Sequence, residues 1–166
     1  THEFSDIPNA KEDMTQLLLN VKQIRLRSYA DGPVTLHVNA AGKAVITAGD
    51  IESAGDVEII NPELPLLTLD SPDTDLDIEF VVEKGRGYSP AEERGNLSIG
   101  QIPVDAIYSP IRKASFTVER ARIGQMTNFD RLVLDIETDG SIGPKEAMRR
   151  AAKILVSQFS TIASFE

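Results

Sequence analysis

The sequence predicts an α+β fold: a helix, a series of short strands, a long strand pair and a closing helix, in that order. Three observations point there. Met14, Leu17, Leu18 and Val21 fall at i, i+3, i+4 and i+7, which is one face of a helix. From Ile24 to Thr138 the apolar residues instead recur in short alternating runs broken by Gly, Pro and Asp, as strands and turns do. Met148, Ala151, Ala152, Leu155, Phe159 and Ile162 then return to a helical stripe. Helices and strands are segregated, so no βαβ alternation is present.

Asn9 and Glu12 have the spacing of a capping box, which predicts a first helix from about Ala10 to Lys22. Ile24–Ser28 and Val34–Asn39 flank Asp31-Gly32-Pro33 and read as a hairpin. A turn at Ala41-Gly42-Lys43 leads into a strand over Ala44–Ala48, and Val57–Ile60 is another short strand. Leu64–Leu69 and Leu76–Glu83 read as a pair around Ser71-Pro72-Asp73. Ser89–Ser98 mixes proline, charge and glycine and reads as a mobile loop. Ala114–Ile123 and Arg131–Thr138 form the long pair. Ser115, Thr117, Glu119 and Ala121 alternate there with Phe116, Val118 and Arg120, so one face is expected to be drier. Pro144 suits the first position of the last helix, with Gly143 as its cap.

Composition bounds what such a chain can do. Its 166 residues suffice for one domain or two small ones, with an ordinary apolar and charged balance. No apolar run approaches the ~20 residues of a membrane span, and the first residues lack the pattern of a signal peptide. The absence of cysteine excludes disulfides and thiolate metal sites and fits a cytoplasmic setting. A net charge of −9 opposes binding to a nucleic-acid backbone by electrostatics alone.

Several constellations invite a chemical function. Asp73, Asp75, Asp77 and Glu79 alternate, and clustered carboxylates could hold a divalent cation in a metal-binding enzyme. They lack the glycine turn of a calcium loop, and Leu76 and Ile78 impose strand alternation, so a solvated strand face is the simpler reading. Lys84-Gly85-Arg86-Gly87 resembles a phosphate loop, but Tyr88-Ser89-Pro90 follows where such loops need a helix N-terminus. A tight turn presenting Arg86 and Tyr88 to a protein partner is the alternative, since these residue types anchor interfaces. Tyr88 could equally close its own core. His2 and His37 lie in separate elements, and no serine occupies a nucleophile elbow. The sequence shows no active site, cofactor site or metal site.

The stretch Val82–Glu119 contains Val-Glu-Lys-Gly-Arg-Gly-Tyr-Ser-Pro-Ala and, later, Ile-Pro-Val-Asp-Ala-Ile-Tyr-Ser-Pro-Ile. Each motif sets a tyrosine beside a proline-fixed bend. The pair resembles the amino-terminal assembly region of the bacterial-type RNA polymerase alpha-subunit family. The likeness extends to His2-Glu3-Phe4-Ser5, Leu17–Lys22, Ala48-Gly49-Asp50-Ile51, Gly55–Ile59, Leu132–Gly140 and Pro144–Ala152 in collinear order.

The resemblance implies a mainly antiparallel β insert domain over 1–110. A partial α/β dimerisation domain, made of the strand pair and the long C-terminal helix, would follow over 111–166. With Thr1 at the start and the family's opening strands, first long helix, linker and carboxy-terminal domain absent, a fragment is expected. The implied function is that of a non-catalytic scaffold subunit of DNA-directed RNA polymerase, a nucleotidyltransferase whose catalytic residues lie on other chains. Its partners would be the beta and beta-prime large subunits and a second alpha subunit, in a cytoplasmic, nucleoid-associated enzyme. By resemblance, Lys22, Arg86, Tyr88, Val104 and Asp105 face a large subunit. Met148, Ala151, Ala152, Leu155, Phe159 and Ile162 would serve dimerisation. The rival readings are a free-standing protein-binding adaptor of the same fold and the metal-binding enzyme above.

Overall fold

The structure, a computed structural model, describes residues 6–40, 45–53, 55–71, 73–95 and 97–165. The expected features at His2–Ser5, at the Ala41-Gly42-Lys43 turn and at Pro72 lie outside the described residues. The architecture is α+β, with antiparallel strand pairs and a C-terminal helix. The chain divides into two units, Thr1–Ser109 and Pro110–Glu166.

Among the described residues, the first unit holds helix α1 (Met14–Val21) and eight short strands: β1 (Leu26–Ser28), β2 (Val34–Asn39), β3 (Val45–Thr47), β4 (Val57–Ile59), β5 (Pro65–Thr68), β6 (Asp77–Val82), β7 (Tyr88–Ser89) and β8 (Ala106–Ile107). They pair as β1–β4, β2–β6, β3–β5 and β7–β8, all antiparallel. The alternation along β2 buries Leu36 and Val38 and turns Thr35, His37 and Asn39 outward. Across the ladder Leu36 faces Phe80 and Val38 faces Ile78. Leu17 of α1, Ile46 of β3, Val57 of β4 and Leu66 and Leu67 of β5 complete the core. Full burial of such side chains contributes about 1.5–3 kcal/mol each.

Three expectations are corrected. The first helix begins at Met14, not near Ala10, and its cap is Asp13, whose Oδ1 accepts from the Gln16 N–H at 2.7 Å. Glu12 turns away from Asn9 and accepts from the backbone N–H and the hydroxyl of Thr68, at 2.7 and 2.9 Å. Asn9 has φ 58, Ala10 bridges to Leu69, and the Lys11 N–H donates to the Thr68 carbonyl at 3.0 Å. Next, Ile24–Ser28 and Val34–Asn39 do not pair with each other, nor do Leu64–Leu69 and Leu76–Glu83. β1 pairs with β4, β2 with β6 and β3 with β5 instead, and in these registers Leu36, Val57 and Leu67 are buried in one shared interior. Finally, Ser89–Ser98 is not all loop: it opens with the end of β7 and forms a 3-10 turn at Ala91–Arg94.

Side-chain to backbone bonds hold the connections between these ladders. Asn20 donates to the Leu66 carbonyl at 2.9 Å, and Asn61 accepts from the Arg25 N–H at 2.7 Å while donating to the Gln23 carbonyl at 3.0 Å. At the 3-10 turn Ala48–Asp50, the Asp50 carboxylate accepts from both the N–H and the hydroxyl of Thr47. Gly49 sits so close to Pro62 that a Cβ would meet the Pro62 carbonyl oxygen at 3.0 Å. Only glycine fits there without displacing that backbone.

The second unit is a hairpin of β9 (Ile111–Ile123) and β10 (Met126–Thr138), followed by α2 (Pro144–Ala163). Gly124, at φ +62, supplies the left-handed residue of the tight connection. Leu132 faces Val118 and Leu134 faces Phe116 across the ladder. Pro144 occupies the first turn of α2, and Gly143 ends the extended approach without a side-chain cap. Glu146 accepts from Arg149 and Arg150, and those two guanidinium groups hold its carboxyl down to about 2. The drier face expected on the hairpin is absent. Phe116 is 71% exposed and Leu132 61%.

Leu67→Ala is expected to cost the first unit about 2–5 kcal/mol, because the leucine is 1% exposed and its cavity cannot close freely. Val81→Ala on the exposed side of β6 should change stability by less than about 0.5 kcal/mol. Urea unfolding followed by circular dichroism measures both.

Candidate functional site

A shallow groove of about 230 Å³ opens on the first unit, lined by Thr15, Leu18, Leu19 and Lys22 from α1 and by Ala91, Pro103, Val104 and Asp105 from the chain before β8. Its α1 wall follows from the spacing of that helix. Leu17 points into the core and leaves Leu18, half-buried, and Leu19, exposed, along the outer side. Lys22 ends the helix, with its N–H on the Leu18 carbonyl.

From that position the Lys22 ammonium donates to Asp105 Oδ2 at 2.7 Å. The other carboxylate oxygen, Oδ1, accepts from the Ala91 N–H at 2.9 Å. Lys22 foremost, and then the Ala91 N–H, hold the Asp105 carboxyl below the usual carboxylate range, with a smaller contribution from the Tyr88 hydroxyl. Asp105 thus joins three parts of the unit that are far apart in sequence.

The β7–β8 ladder places the second motif against the first, with Tyr88 opposite Ile107 and Ser89 opposite Ala106. The Tyr108 N–H donates to the Gly87 carbonyl at 2.8 Å. Tyr108 is then received by a polar pair. Its hydroxyl donates to Glu83 at 2.8 Å and accepts from Arg94 at 3.0 Å, while Arg94 also reaches Glu83 at 3.0 Å. Partial burial, followed by the Glu83 acceptor, pushes the Tyr108 phenol up from its ordinary value. Gly85 lies so close to the Tyr108 ring that a Cβ at that position would clash with its Cδ2, Cε2 and Cζ atoms.

Of the residues expected to face a partner, Lys22, Val104 and Asp105 come together at the groove, and Tyr88 stands next to them at 60% exposure. Tyr88 therefore does not close a core, which corrects that alternative; Tyr108 takes the packed position. Arg86 is exposed on the loop before β7. Glu83, Arg94 and Ala91 were not singled out from sequence. The Tyr-Ser-Pro bend was a usable signal for Tyr108, but its two polar partners become neighbours only through the β7–β8 pairing.

The α2 stripe is open to solvent. Met148, Leu155, Phe159 and Ile162 are 45–68% exposed, Ala151 and Ala152 are exposed, and Ile154 and Val156 widen the strip. The acidic run does not converge on a point. Asp73 and Asp75 precede β6, Asp77 begins it, and Glu79 stands 3.8 Å from the His37 ring. Among the described residues, no group of three His, Cys, Asp or Glu is placed to hold a metal ion. Among them, too, no helix is long and apolar enough to cross a membrane.

Residues 1–109 match the family described as RNA polymerase Rpb3/RpoA insert domain. The chain belongs to this family. It is 52% identical over 164 residues to a DNA-directed RNA polymerase subunit alpha of Herpetosiphon aurantiacus, covering 99% of this chain and 50% of that relative. The same-named subunit of Roseiflexus sp. is 48% identical, with 99% and 51% covered. That of Dehalococcoides mccartyi strain CBDB1 is 50% identical over 163 residues, with 98% and 49% covered. The chain spans about half the length of these relatives. The match to the Rpb3/RpoA insert domain ends where the first structural unit ends, at residue 109.

Gly85→Ala in this insert domain is expected to force the Tyr108 ring off Glu83 and Arg94 and to destabilise the unit by about 1–3 kcal/mol, read by urea unfolding. The Asp105 carboxyl, followed by carbon-13 NMR, should titrate below ~3.9 in the wild type and move upward in Lys22→Ala. Because its folded value is depressed, the stability it contributes is complete above ~3.9 and is lost as pH falls through that lower folded value.

Proposed function

We propose that the chain is the assembly portion of an RNA polymerase alpha subunit, a non-catalytic scaffold that dimerises and docks the two large catalytic subunits. The name the relatives share, DNA-directed RNA polymerase subunit alpha, supports the enzyme, and one structural observation carries the scaffold role. Among the described residues, every buried hydrophobic side chain lies in the first unit, whereas the second exposes large apolar side chains along β9, β10 and α2. Surface of that kind is completed by other protein. On this reading residues 1–110 are the insert domain and 111–166 the second half of a dimerisation domain. The α2 stripe then joins a second alpha subunit through Met148, Ala151, Ala152, Leu155, Phe159 and Ile162.

The docking surface for the beta or beta-prime subunit centres on the groove, with Lys22, Arg86, Tyr88, Val104 and Asp105 around it. Leu18, Leu19, Pro103 and Val104 give it an apolar lining, and the Lys22–Asp105 pair leaves its rim near neutrality. Nucleotidyl transfer belongs to other chains, DNA is not bound by this portion, and the site of action is the cytoplasm, at the nucleoid. The net charge of −9 is in keeping with a portion that meets protein rather than the template.

Co-purification of the chain with beta and beta-prime tests the proposal. The wild type should retain the large subunits, Val104→Asp should weaken retention by about 10-fold, and Phe159→Glu should reduce dimer formation. A folded wild-type chain that recovers other proteins but never the large subunits would be a free-standing adaptor, and the scaffold reading would fail.

A further inference from the structure

We propose that Asp105 is a positioning residue that sets the width of the groove, and that it acts with Lys22 as a clamp rather than as a contact to the docked chain. The inference rests on the docking reading above. Asp105 spends both carboxylate oxygens inside the insert domain: Oδ2 on Lys22 at the end of α1, Oδ1 on the Ala91 N–H at the start of the 3-10 turn. Both anchors line the groove, Lys22 from α1 and Ala91 from the segment before β8. The far end of the same turn is fixed separately, where Arg94 binds Glu83 and the Tyr108 hydroxyl. The turn is thus held at both ends, and the distance between Ala91 and α1 is governed by one side chain.

An isolated exposed ion pair would be a weak basis for such a role. This pair differs in three respects. It closes a separation of 83 residues, and the carboxylate is 29% exposed. It also accepts a backbone N–H, whose geometry cannot rotate away as a side chain can. Arg94, at 21% exposure, is likewise shielded. Residues that act through each other show coupled rather than additive losses when removed.

The test uses the full-length alpha subunit that carries this stretch, with the purified large polymerase subunits as probe. Dissociation constants are measured for the wild type, Lys22→Ala, Asp105→Ala and the double variant, and amide exchange at Ala91 is followed in each. The clamp predicts about a 10-fold loss in either single variant and no more than about a further 2-fold in the double. It also predicts faster exchange at Ala91 in Asp105→Ala, whereas Val104→Asp should weaken binding with Ala91 exchange unchanged. If Asp105→Ala does not fold, Asp105→Asn serves instead, since it keeps the acceptor for Ala91 and removes the charge facing Lys22. It should lose affinity as Lys22→Ala does, with slow exchange retained at Ala91. Losses that multiply to about 100-fold in the double variant would show two independent contacts and overturn the clamp. Unchanged Ala91 exchange in Asp105→Ala would overturn it as well. A wild type that fails to bind the large subunits defeats the docking reading instead, and Ala91 exchange then decides whether Asp105 holds the turn.

Discussion

The β2–β6 ladder is the constraint on which the insert domain depends. It joins Val34–Asn39 to Asp77–Val82 across the intervening chain, and β3 and β5 pair inside that span. Closing such a loop costs entropy before any contact rewards it. The return comes from Leu36 and Val38, which are almost wholly buried against Phe80, Ile78 and β5. The direction of the chain leaving β6 depends on the same register. Glu83 follows the last strand residue, and through it Tyr108 and Arg94 are drawn to one place. A slip of one residue in this ladder would turn Leu36 and Val38 outward and carry Glu83 to the wrong side.

How much of this was legible in the sequence follows the range of the interactions. The closing helix and the long hairpin were legible because their determinants are local: Pro144 at the first turn, and two alternating runs, although the strands begin earlier than expected, at Ile111 and Met126 and not at Ala114 and Arg131. The first helix was misjudged because Glu12 had two possible acceptor roles. The one it takes, on Thr68, lies 56 residues away and outcompetes a cap at Asn9. Hairpins were expected wherever a turn lay between two runs, yet apolar alternation specifies which face a strand buries, not which strand lies beside it. The groove residues Lys22, Val104 and Asp105 were reached through family resemblance. No spacing rule joins positions 22 and 105, and their ion pair becomes visible only when α1 and the segment before β8 are side by side.

The two units obey different economies of stability. The insert domain has its own interior, small but continuous from α1 through β5. The second unit has a long hairpin, with register shifts at both ends, and a 20-residue helix, and among the described residues it has no buried hydrophobic side chain. In folded proteins most of a helix's stability comes from packing of its apolar face, and the apolar face of α2 is exposed. Its Glu146–Arg149–Arg150 group supports the first turn, but exposed pairs of this kind add little. Packing against further protein is what such a unit lacks, and its exposed Phe116, Leu132, Leu155 and Phe159 are the side chains with most to gain.

On the proposed docking reading, charge suits these same surfaces to protein rather than to nucleic acid. The chain carries nine more acidic than basic groups, so a long-range field steers it away from phosphate backbones. At the groove that field is locally cancelled, because Lys22 answers Asp105 and the Ala91 N–H takes the remaining oxygen. A partner entering there meets Leu18, Leu19, Pro103 and Val104 without having to strip water from an unpaired charge. The pairing therefore does two things at once. It fixes the separation of the walls, and it lowers the desolvation cost of closing over them. Removing either member exposes the other as an uncompensated charge in the groove, so the loss on Lys22→Ala would contain a penalty from Asp105 as well as the lost contact. A double-mutant cycle, not a single substitution, separates the two contributions.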